Sequence, residues 1–238
     1  MKTIAIVNQK GGSGKSSTAA LTIKALHDIN KSVIAIDADP QGGLTTLLLG
    51  RHVAIKRGLY DYLSNAPFED CRTVANLATG ALDILPGDHR LDMIAWTISP
   101  HSLRDELRPL RYDFAVIDCP PSMVGIARAA IHAAHIVIVP CEISETALAP
   151  TQYSVSAIKK ERKTPRVALV GYKDPDGKGG YKADLSRDFK DAFQQHIAGT
   201  IPRNVSAARM AADPKRRWTN ASRESLQKVI LQIMGVEK

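Results

Sequence analysis

The segment between residues 10 and 17, Lys-Gly-Gly-Ser-Gly-Lys-Ser-Ser, constrains this chain more than any other. It follows an apolar run at residues 3–7 and precedes a predicted helix at 16–29. A strand, a glycine-rich turn and a helix form the context in which such a segment binds phosphate, because backbone N–H groups and the helix dipole point toward the anion. The sequence therefore predicts a nucleotide-binding loop made of Lys10, Gly11, Gly12, Ser13, Gly14, Lys15, Ser16 and Ser17.

The two lysines of this loop have different expected roles. Lys15 occupies the position that reaches the β- and γ-phosphates, and the Ser16 hydroxyl is a ligand for Mg²⁺. Gln9 stands where the ordinary motif begins with glycine, so the strict pattern fails. Lys10 lies too far along the turn to duplicate Lys15. It is either a solvated loop lysine or the lysine of the deviant Walker A class, which reaches the nucleotide of the other subunit in a dimer.

Apolar β-branched runs alternate with helical stretches along the chain. Near-continuous apolar strands are typical of a sheet covered on both faces, so the pattern predicts an α/β fold, a three-layer sandwich with a mostly parallel, twisted central sheet. The length of 238 residues fits a single P-loop ATPase domain over residues 1–238. Strands are predicted at 3–7, 32–37, 82–85, 114–118, 135–139, 166–170 and 199–201, and helices at 16–29, 43–49, 88–95, 100–110, 122–134, 147–162, 184–196 and 220–234.

Carboxylates follow two of the predicted strands. Ligand sites in open parallel sheets lie at the carboxyl ends of the strands, where Asp37, Asp39 and Asp118 are expected. Asp39 is the candidate for positioning the attacking water, and Asp37 is expected to support the site or to connect it to Mg²⁺. Asp118 ends a strand of the Walker B type and is expected to hold Mg²⁺ through a water, opposite Ser16. The alternative for Asp37 and Asp39 is a purely structural role in capping the next turn.

The positive charge of the chain is concentrated in its last third. The formal net charge is +8, yet residues 1–150 hold 14 basic and 15 acidic residues, whereas residues 151–238 hold 18 and 9. Such asymmetry indicates a polyanionic partner, nucleic acid or an anionic membrane, although a solvated basic face is the alternative. No apolar run approaches the roughly 18 residues of a transmembrane helix, and no signal peptide is recognisable. We therefore expect a cytoplasmic protein, with Cys71, Cys119 and Cys141 as free buried thiols.

Together these motifs resemble the ParA family of DNA-segregation ATPases, and the resemblance covers nearly the whole chain. The shared segments lie at residues 10–17, 37–42, 116–122 and 201–205. The resemblance implies a homodimer closed by ATP and Mg²⁺, with Lys10 reaching across it, and with Pro202 and Arg203 near the adenine. The closed dimer would bind double-stranded DNA without sequence preference and associate with the nucleoid. Slow hydrolysis, stimulated by DNA and a ParB-type partner, would release it and so position a plasmid, a chromosome region, a carboxysome or another cargo.

Some positions depart from the family pattern. Ser13, Ser16 and Ser17 replace the common Val, Thr and Thr, but Ser16 keeps its hydroxyl. Ser206 stands where many relatives carry a DNA-binding arginine, so the DNA contacts do not transfer residue by residue. Because the chain begins at its first strand, we expect no N-terminal helix-turn-helix region. The candidates for contact with the DNA backbone, with Lys178 and Lys182 behind them, are Arg209, Lys215, Arg216, Arg217 and Arg223.

Two other functions share this fold. A MinD-like ATPase that cycles on membranes needs an amphipathic C-terminal helix, and residues 226–234 do have apolar helical spacing. That segment lacks large aromatic residues and has few flanking basic residues, so core packing is favoured and no stable membrane association is expected. An ATP-dependent synthetase of the dethiobiotin or cobyrinate type is the second alternative, but it would gain nothing from a basic C-terminal third.

Overall fold

The computed structural model describes residues 1–50, 53–78, 80–161, 163–170, 181–201 and 220–235. Eight strands form one sheet in the order β3-β4-β2-β5-β1-β6-β7-β8. Every pairing is parallel except that of β3 with β4. The strands are β1 Lys2–Ile6, β2 Val33–Asp37, β3 Thr73–Leu77, β4 Gly80–Leu85, β5 Phe114–Asp118, β6 Ile136–Glu142, β7 Pro165–Val170 and β8 Ile197–Ile201.

Helices cover both faces of the sheet. Two 3₁₀ turns, Glu145–Ala147 and Gln194–His196, adjoin them. The helices are α1 Lys15–His27, α2 Gly43–Leu49, α3 Leu59–Leu63, α4 Phe68–Cys71, α5 Leu91–Ile94, α6 Ser102–Leu107, α7 Ile126–Ala133, α8 Leu148–Lys160, α9 Tyr181–Phe193 and α10 Asn220–Met234.

Alternate residues of the central strands enter two separate cores. On one face Ile4 and Ile6 pack with α1, α2 and α10, and on the other Ala5 packs with α7 and α8. This period of two follows from the opposite directions of successive side chains in a strand. The three-layer α/β sandwich expected from the sequence is therefore confirmed.

The C-terminal helix α10 completes the core beside α1 and β8. Its apolar residues Ile230, Leu231, Ile233 and Met234 are buried, and the Gln227 amide donates to the carbonyl oxygen of Ala25 at 3.4 Å. The apolar spacing at the end of the chain is thus explained by packing within the protein. Among the described residues, no helix has the length and apolar character needed to cross a membrane.

Several predicted boundaries were wrong. The predicted helix at 122–134 begins only at Ile126, because the preceding residue, Gly125, has φ of 57°, which is not helical. A Cβ at Gly125 would lie 1.9 Å from the carbonyl oxygen of Ala95, so only glycine fits this position. The helix expected at 88–95 is confined to α5, and the short elements β3, α3 and α4 were not predicted. The three cysteines are free and buried, as expected.

Candidate nucleotide-binding site

The predicted phosphate loop connects β1 to α1. Gly12 and Gly14 have φ of 71° and 86°, in the left-handed region that glycine adopts without steric cost. A Cβ added at Gly11 or Gly12 would meet no atom within 4 Å, so the space beside these two residues is open. The backbone therefore has both the conformation and the free space that a close approach of phosphate requires.

Lys15 lies at the start of α1 with its side chain folded over the loop. Only 7% of its surface is exposed, and its Nζ donates to the carbonyl oxygen of Lys10 at 3.2 Å. Burial lowers the pKa of Lys15, and the charges of Asp118 and Asp39 oppose that shift. A bound phosphate would add a further negative charge and favour the protonated amine.

The predicted acids come together at the carboxyl edge of the sheet. Asp37 ends β2 and Asp118 ends β5, and the two are register partners on neighbouring strands. Burial raises the pKa of Asp118 well above its usual value, the charge of Asp37 raises it further, and the nearby Ser16 hydroxyl favours the ionised form. Both carboxylate oxygens of Asp118 are buried and have no hydrogen-bond partner among the described residues.

This arrangement fits a hydrated divalent cation. Orphaned carboxylate oxygens are costly when buried, and Mg²⁺ prefers such oxygen ligands while retaining several of its waters. Among the described residues, no group of three or more His, Cys, Asp or Glu side chains could hold a metal. A cation here would therefore depend on Asp118 and Ser16 together with oxygens of the nucleotide.

Asp37 is held mainly by Thr45, a residue that the sequence did not single out. Its Oδ2 accepts hydrogen bonds from the backbone N–H and the hydroxyl of Thr45, both at 2.7 Å. Its Oδ1 accepts from the N–H of Asp39 at 3.2 Å. Burial raises the pKa of Asp37 to about 6, against the opposing effect of these hydrogen bonds. Gly43 begins α2 beside this group, and a Cβ there would lie 2.6 Å from Ser16 Oγ.

Asp39 lies beyond the end of β2 and is only partly buried. Its Oδ1 accepts from the N–H of Gln41 at 3.0 Å, and its charge acts on Lys15 and Asp118. The structure therefore places Asp39 near the charges of Lys15 and Asp118. Its side chain is less buried than that of Asp37.

The Lys10 side chain contacts the segment after β6 of its own chain. Its Nζ donates to Ser144 Oγ at 2.9 Å and to Thr146 Oγ1 at 3.0 Å. The backbone N–H of Lys10 donates to Asn8 Oδ1 at 3.0 Å. The loop lysine is thus bound within one subunit, and its role across a dimer stays a prediction.

Asn8 supports the beginning of the loop and was missed in the sequence. It is fully buried, and its Nδ2 donates to the carbonyl oxygen of Pro140 at 2.9 Å and to Thr151 Oγ1 at 3.2 Å. The Ser154 hydroxyl accepts from the N–H of Gln9 at 3.0 Å. A polar residue directly after a buried strand was the available signal, but the acceptors of its amide, Pro140 and Thr151, lie more than 130 positions away.

Other predicted residues lie outside this group. Ser13 is buried with its hydroxyl unpartnered among the described residues, and Ser17 lies partly buried in the first turn of α1. Arg223 falls in α10, where its side chain is not described. The predictions for Pro202, Arg203, Ser206, Arg209, Lys215, Arg216, Arg217, Lys178 and Lys182 fall on residues or side chains that the structure does not describe.

Comparison with known proteins identifies relatives of this chain. A family model described as an AAA domain matches residues 1–169. The chain is 31% identical to the chromosome-partitioning ATPase Soj of Thermus thermophilus over 221 residues, which cover 87% of this chain and 84% of that protein.

Two solved structures share the fold. An ATP complex of a McdA variant from Cyanothece has a TM-score of 0.83 at 22% identity and covers 100% of this chain and 98% of its own. Cobyrinic acid a,c-diamide synthase of Mycobacterium smegmatis, with bound ADP and magnesium, has a TM-score of 0.73 at 25% identity, covering 89% of this chain and 91% of its own.

A glycine-rich loop between β1 and α1, facing carboxylates at the ends of β2 and β5, defines a P-loop NTPase. Within that class, the match to Soj over most of both chains shows the family. The chain belongs to the ParA family of partition ATPases.

Proposed function

We propose that this ParA-type ATPase dimerises when it binds ATP and Mg²⁺, that the dimer binds double-stranded DNA without sequence preference, and that a ParB-type partner stimulates its slow hydrolysis. The proposal places the protein in the cytoplasm, on the nucleoid while ATP is bound, and gives it a plasmid, a chromosome region or another cargo to position. The observation that carries it is the buried Lys15 beside the register pair Asp37 and Asp118.

The described residues divide the work of hydrolysis among themselves. The loop amides and Lys15 bind the phosphates, and Ser16 with Asp118 holds Mg²⁺, which neutralises charge that develops on the phosphate oxygens. Asp39, less buried than Asp37, orients the attacking water. Asp37 keeps the end of β2 in place through Thr45. Pro202 and Arg203, which lie outside the described residues, would complete the site near the adenine.

For Lys10 to reach the nucleotide of the other subunit, its ammonium must leave the hydroxyl groups of Ser144 and Thr146. The hydrogen bonds from the Lys10 ammonium to Ser144 and Thr146 have neutral hydroxyl acceptors and lie at a partly exposed surface. A triphosphate on the other subunit would offer the ammonium an anionic acceptor, which adds Coulomb attraction between opposite charges to the hydrogen bond. Lys10 therefore gains by turning toward the partner once ATP is present.

An exposed apolar patch, Met93, Trp96 and Val124, supports self-association at this end of the molecule. Met93 is 70% exposed and Trp96 is 84% exposed, values that are costly for large apolar side chains in contact with water. The contact between Ala95 and Gly125 joins the patch to the segment that follows Asp118. A second copy that covers the nucleotide would also cover this surface.

The basic last third supports the choice of DNA as the polyanion. The apolar face of α10 is buried in the core, so the chain's end offers no free apolar helix face for a membrane among its described residues. Contact between the DNA backbone and Arg209, Lys215, Arg216, Arg217 and Arg223 predicts affinity that falls steeply with salt.

The experiment compares the wild type with Lys15→Ala and Trp96→Ala by light scattering and by DNA gel shift, with and without a non-hydrolysable ATP analogue and Mg²⁺. We expect analogue-dependent dimers and DNA binding in the wild type. Lys15→Ala should lose nucleotide binding and both activities, whereas Trp96→Ala should bind the analogue and dimerise less.

Three outcomes would contradict the proposal. A wild-type protein that stays monomeric and ignores duplex DNA when saturated with the analogue would refute the switch. Co-sedimentation with liposomes in ATP would favour the MinD-like alternative, and turnover that needs a small organic acid would favour the synthetase.

A further inference from the structure

A cleft of about 560 Å³ opens at the end of the sheet opposite the phosphate loop. It lies beside the beginning of β1, between α6 and the last turn of α7, and the segment after α8 closes one side. Its volume is within the range of small-molecule sites, about 300–1,000 Å³. The residues that line it are Met1, Thr3, Arg104, Asp105, Leu107, Arg108, His132, Ala133, Ala134, His135 and Lys163.

The cationic hydrogen-bond donors in this cleft are only partly paired within the described part of the chain. Arg108 has no ion pair within the described part of the chain, and Arg104 makes only a 3.4 Å contact with Asp105. Lys163 Nζ donates to the carbonyl oxygen of Ala134 at 2.6 Å, which leaves two of its three N–H groups available. The cleft therefore presents cationic groups that keep N–H donors available for a ligand.

His135 adds a neutral donor to the same cleft. The backbone N–H of Thr3 donates to His135 Nδ1 at 3.1 Å, which places the ring proton on Nε2. Burial lowers the pKa of His135, and the positive charges of Lys163 and Lys2 lower it further. The neutral form of the ring is therefore favoured, with Nε2–H as its donor.

Few acidic side chains lie near the cationic groups of the cleft. Asp105 is the only acidic residue among those lining the cleft, and Glu106 follows it on α6. Glu161 is occupied by Arg128 at 2.7 Å and by His132. Three cationic side chains, those of Arg104, Arg108 and Lys163, thus outweigh the one carboxylate that lines the cleft.

We propose that this cleft binds a small phosphorylated anion, with Arg104, Arg108, Lys163 and the Nε2–H of His135 as its donors. Guanidinium groups match phosphate oxygens in a two-point geometry, and charge-assisted hydrogen bonds are the strongest kind available. The concave shape suits a small ligand better than a duplex backbone. The site is separate from the nucleotide loop, so the inference does not depend on the proposed function.

Inorganic phosphate is the probe, titrated by calorimetry into protein already saturated with Mg²⁺ and a non-hydrolysable ATP analogue, so that the nucleotide loop is filled. We expect one phosphate per chain at millimolar concentration. Arg108→Gln, at an exposed position that folding does not depend on, should weaken binding about tenfold. Arg111→Gln, on the same segment but outside the cleft, should leave the affinity unchanged.

Two outcomes would overturn the inference. Binding that is absent, or equally strong in Arg108→Gln and Arg111→Gln, would show that the cleft is not a phosphate site. Loss of DNA binding in Arg108→Gln without any phosphate binding by the wild type would assign the surface to duplex DNA instead.

Discussion

Asp37 and Thr45 form a two-point contact in which one carboxylate oxygen accepts from both the backbone N–H and the hydroxyl of the same residue, each at 2.7 Å. The Thr45 hydroxyl also accepts from the N–H of Gly87 at 3.0 Å. One side chain thereby joins the end of β2, the first turn of α2 and the loop after β4. These are the segments that border the candidate Mg²⁺ site.

Thr45→Val tests this contact because valine keeps the shape of threonine and removes its hydroxyl. Asp37 would lose one hydrogen bond and the Gly87 N–H its acceptor, so we expect unfolding to become easier by about 1–3 kcal/mol. Urea unfolding measures the change, and Thr46→Val, an exposed position on the same helix, is the control. Equal stability of the two variants would contradict the bracing role.

Lys10→Ala separates nucleotide binding from dimerisation. Lys15 and the loop amides remain, so we expect the affinity for ATP to stay near that of the wild type. The contact across the dimer would be lost, so ATP-dependent dimers and hydrolysis should disappear. Fluorescent-nucleotide titration and light scattering measure the two effects, with Lys31→Ala, an exposed lysine far from the loop, as the control. Normal dimers formed by Lys10→Ala would remove its proposed role across the interface.

Asp39→Ala should separate binding from turnover. The carboxylate is less buried than Asp37 and does not touch the phosphate loop by any hydrogen bond among the described residues, so ATP binding should persist. Without a group to orient the attacking water, hydrolysis should fall by roughly 10²-fold or more. The protein should then remain on DNA, which gel shift with ATP detects. Asp191→Ala in α9 is the control, and unchanged turnover in Asp39→Ala would move the catalytic role elsewhere.

Elements that local signals determine were predicted from the sequence. The bounds of α2, β5 and α10 agree with the predicted ranges, and the phosphate loop was recognised because its residues are contiguous. The strand β3 was missed because its sequence, Thr-Val-Ala-Asn-Leu, has a weak apolar signal and it pairs only at the edge of the sheet, with β4. The supporting roles of Asn8 and Thr45 depend on contacts between distant segments, which periodicity does not report.

Asp118→Asn should make the ligand-free protein more stable while impairing its function. Both oxygens of Asp118 are buried without partners among the described residues, so ionising this carboxyl costs free energy that the uncharged amide does not cost. Because folding raises the pKa of Asp118, the folded wild type is favoured while the carboxyl is protonated. This contribution to the free energy of unfolding is lost as the pH rises through the raised pKa.

The gain in stability of Asp118→Asn over the wild type should therefore be small in acid and grow toward neutral pH. Urea unfolding between about pH 5 and pH 8 measures it. Addition of Mg²⁺ with the ATP analogue should stabilise the wild type strongly and the variant weakly, because the amide is a poorer ligand for the cation. Asp113→Asn is the comparison, since hydrogen bonds from Ser32 lower the pKa of Asp113 and its amide should destabilise the protein as the pH rises. An Asp118→Asn protein that is less stable at every pH, yet equally stabilised by the Mg²⁺ complex, would contradict the assignment of Asp118 to the metal.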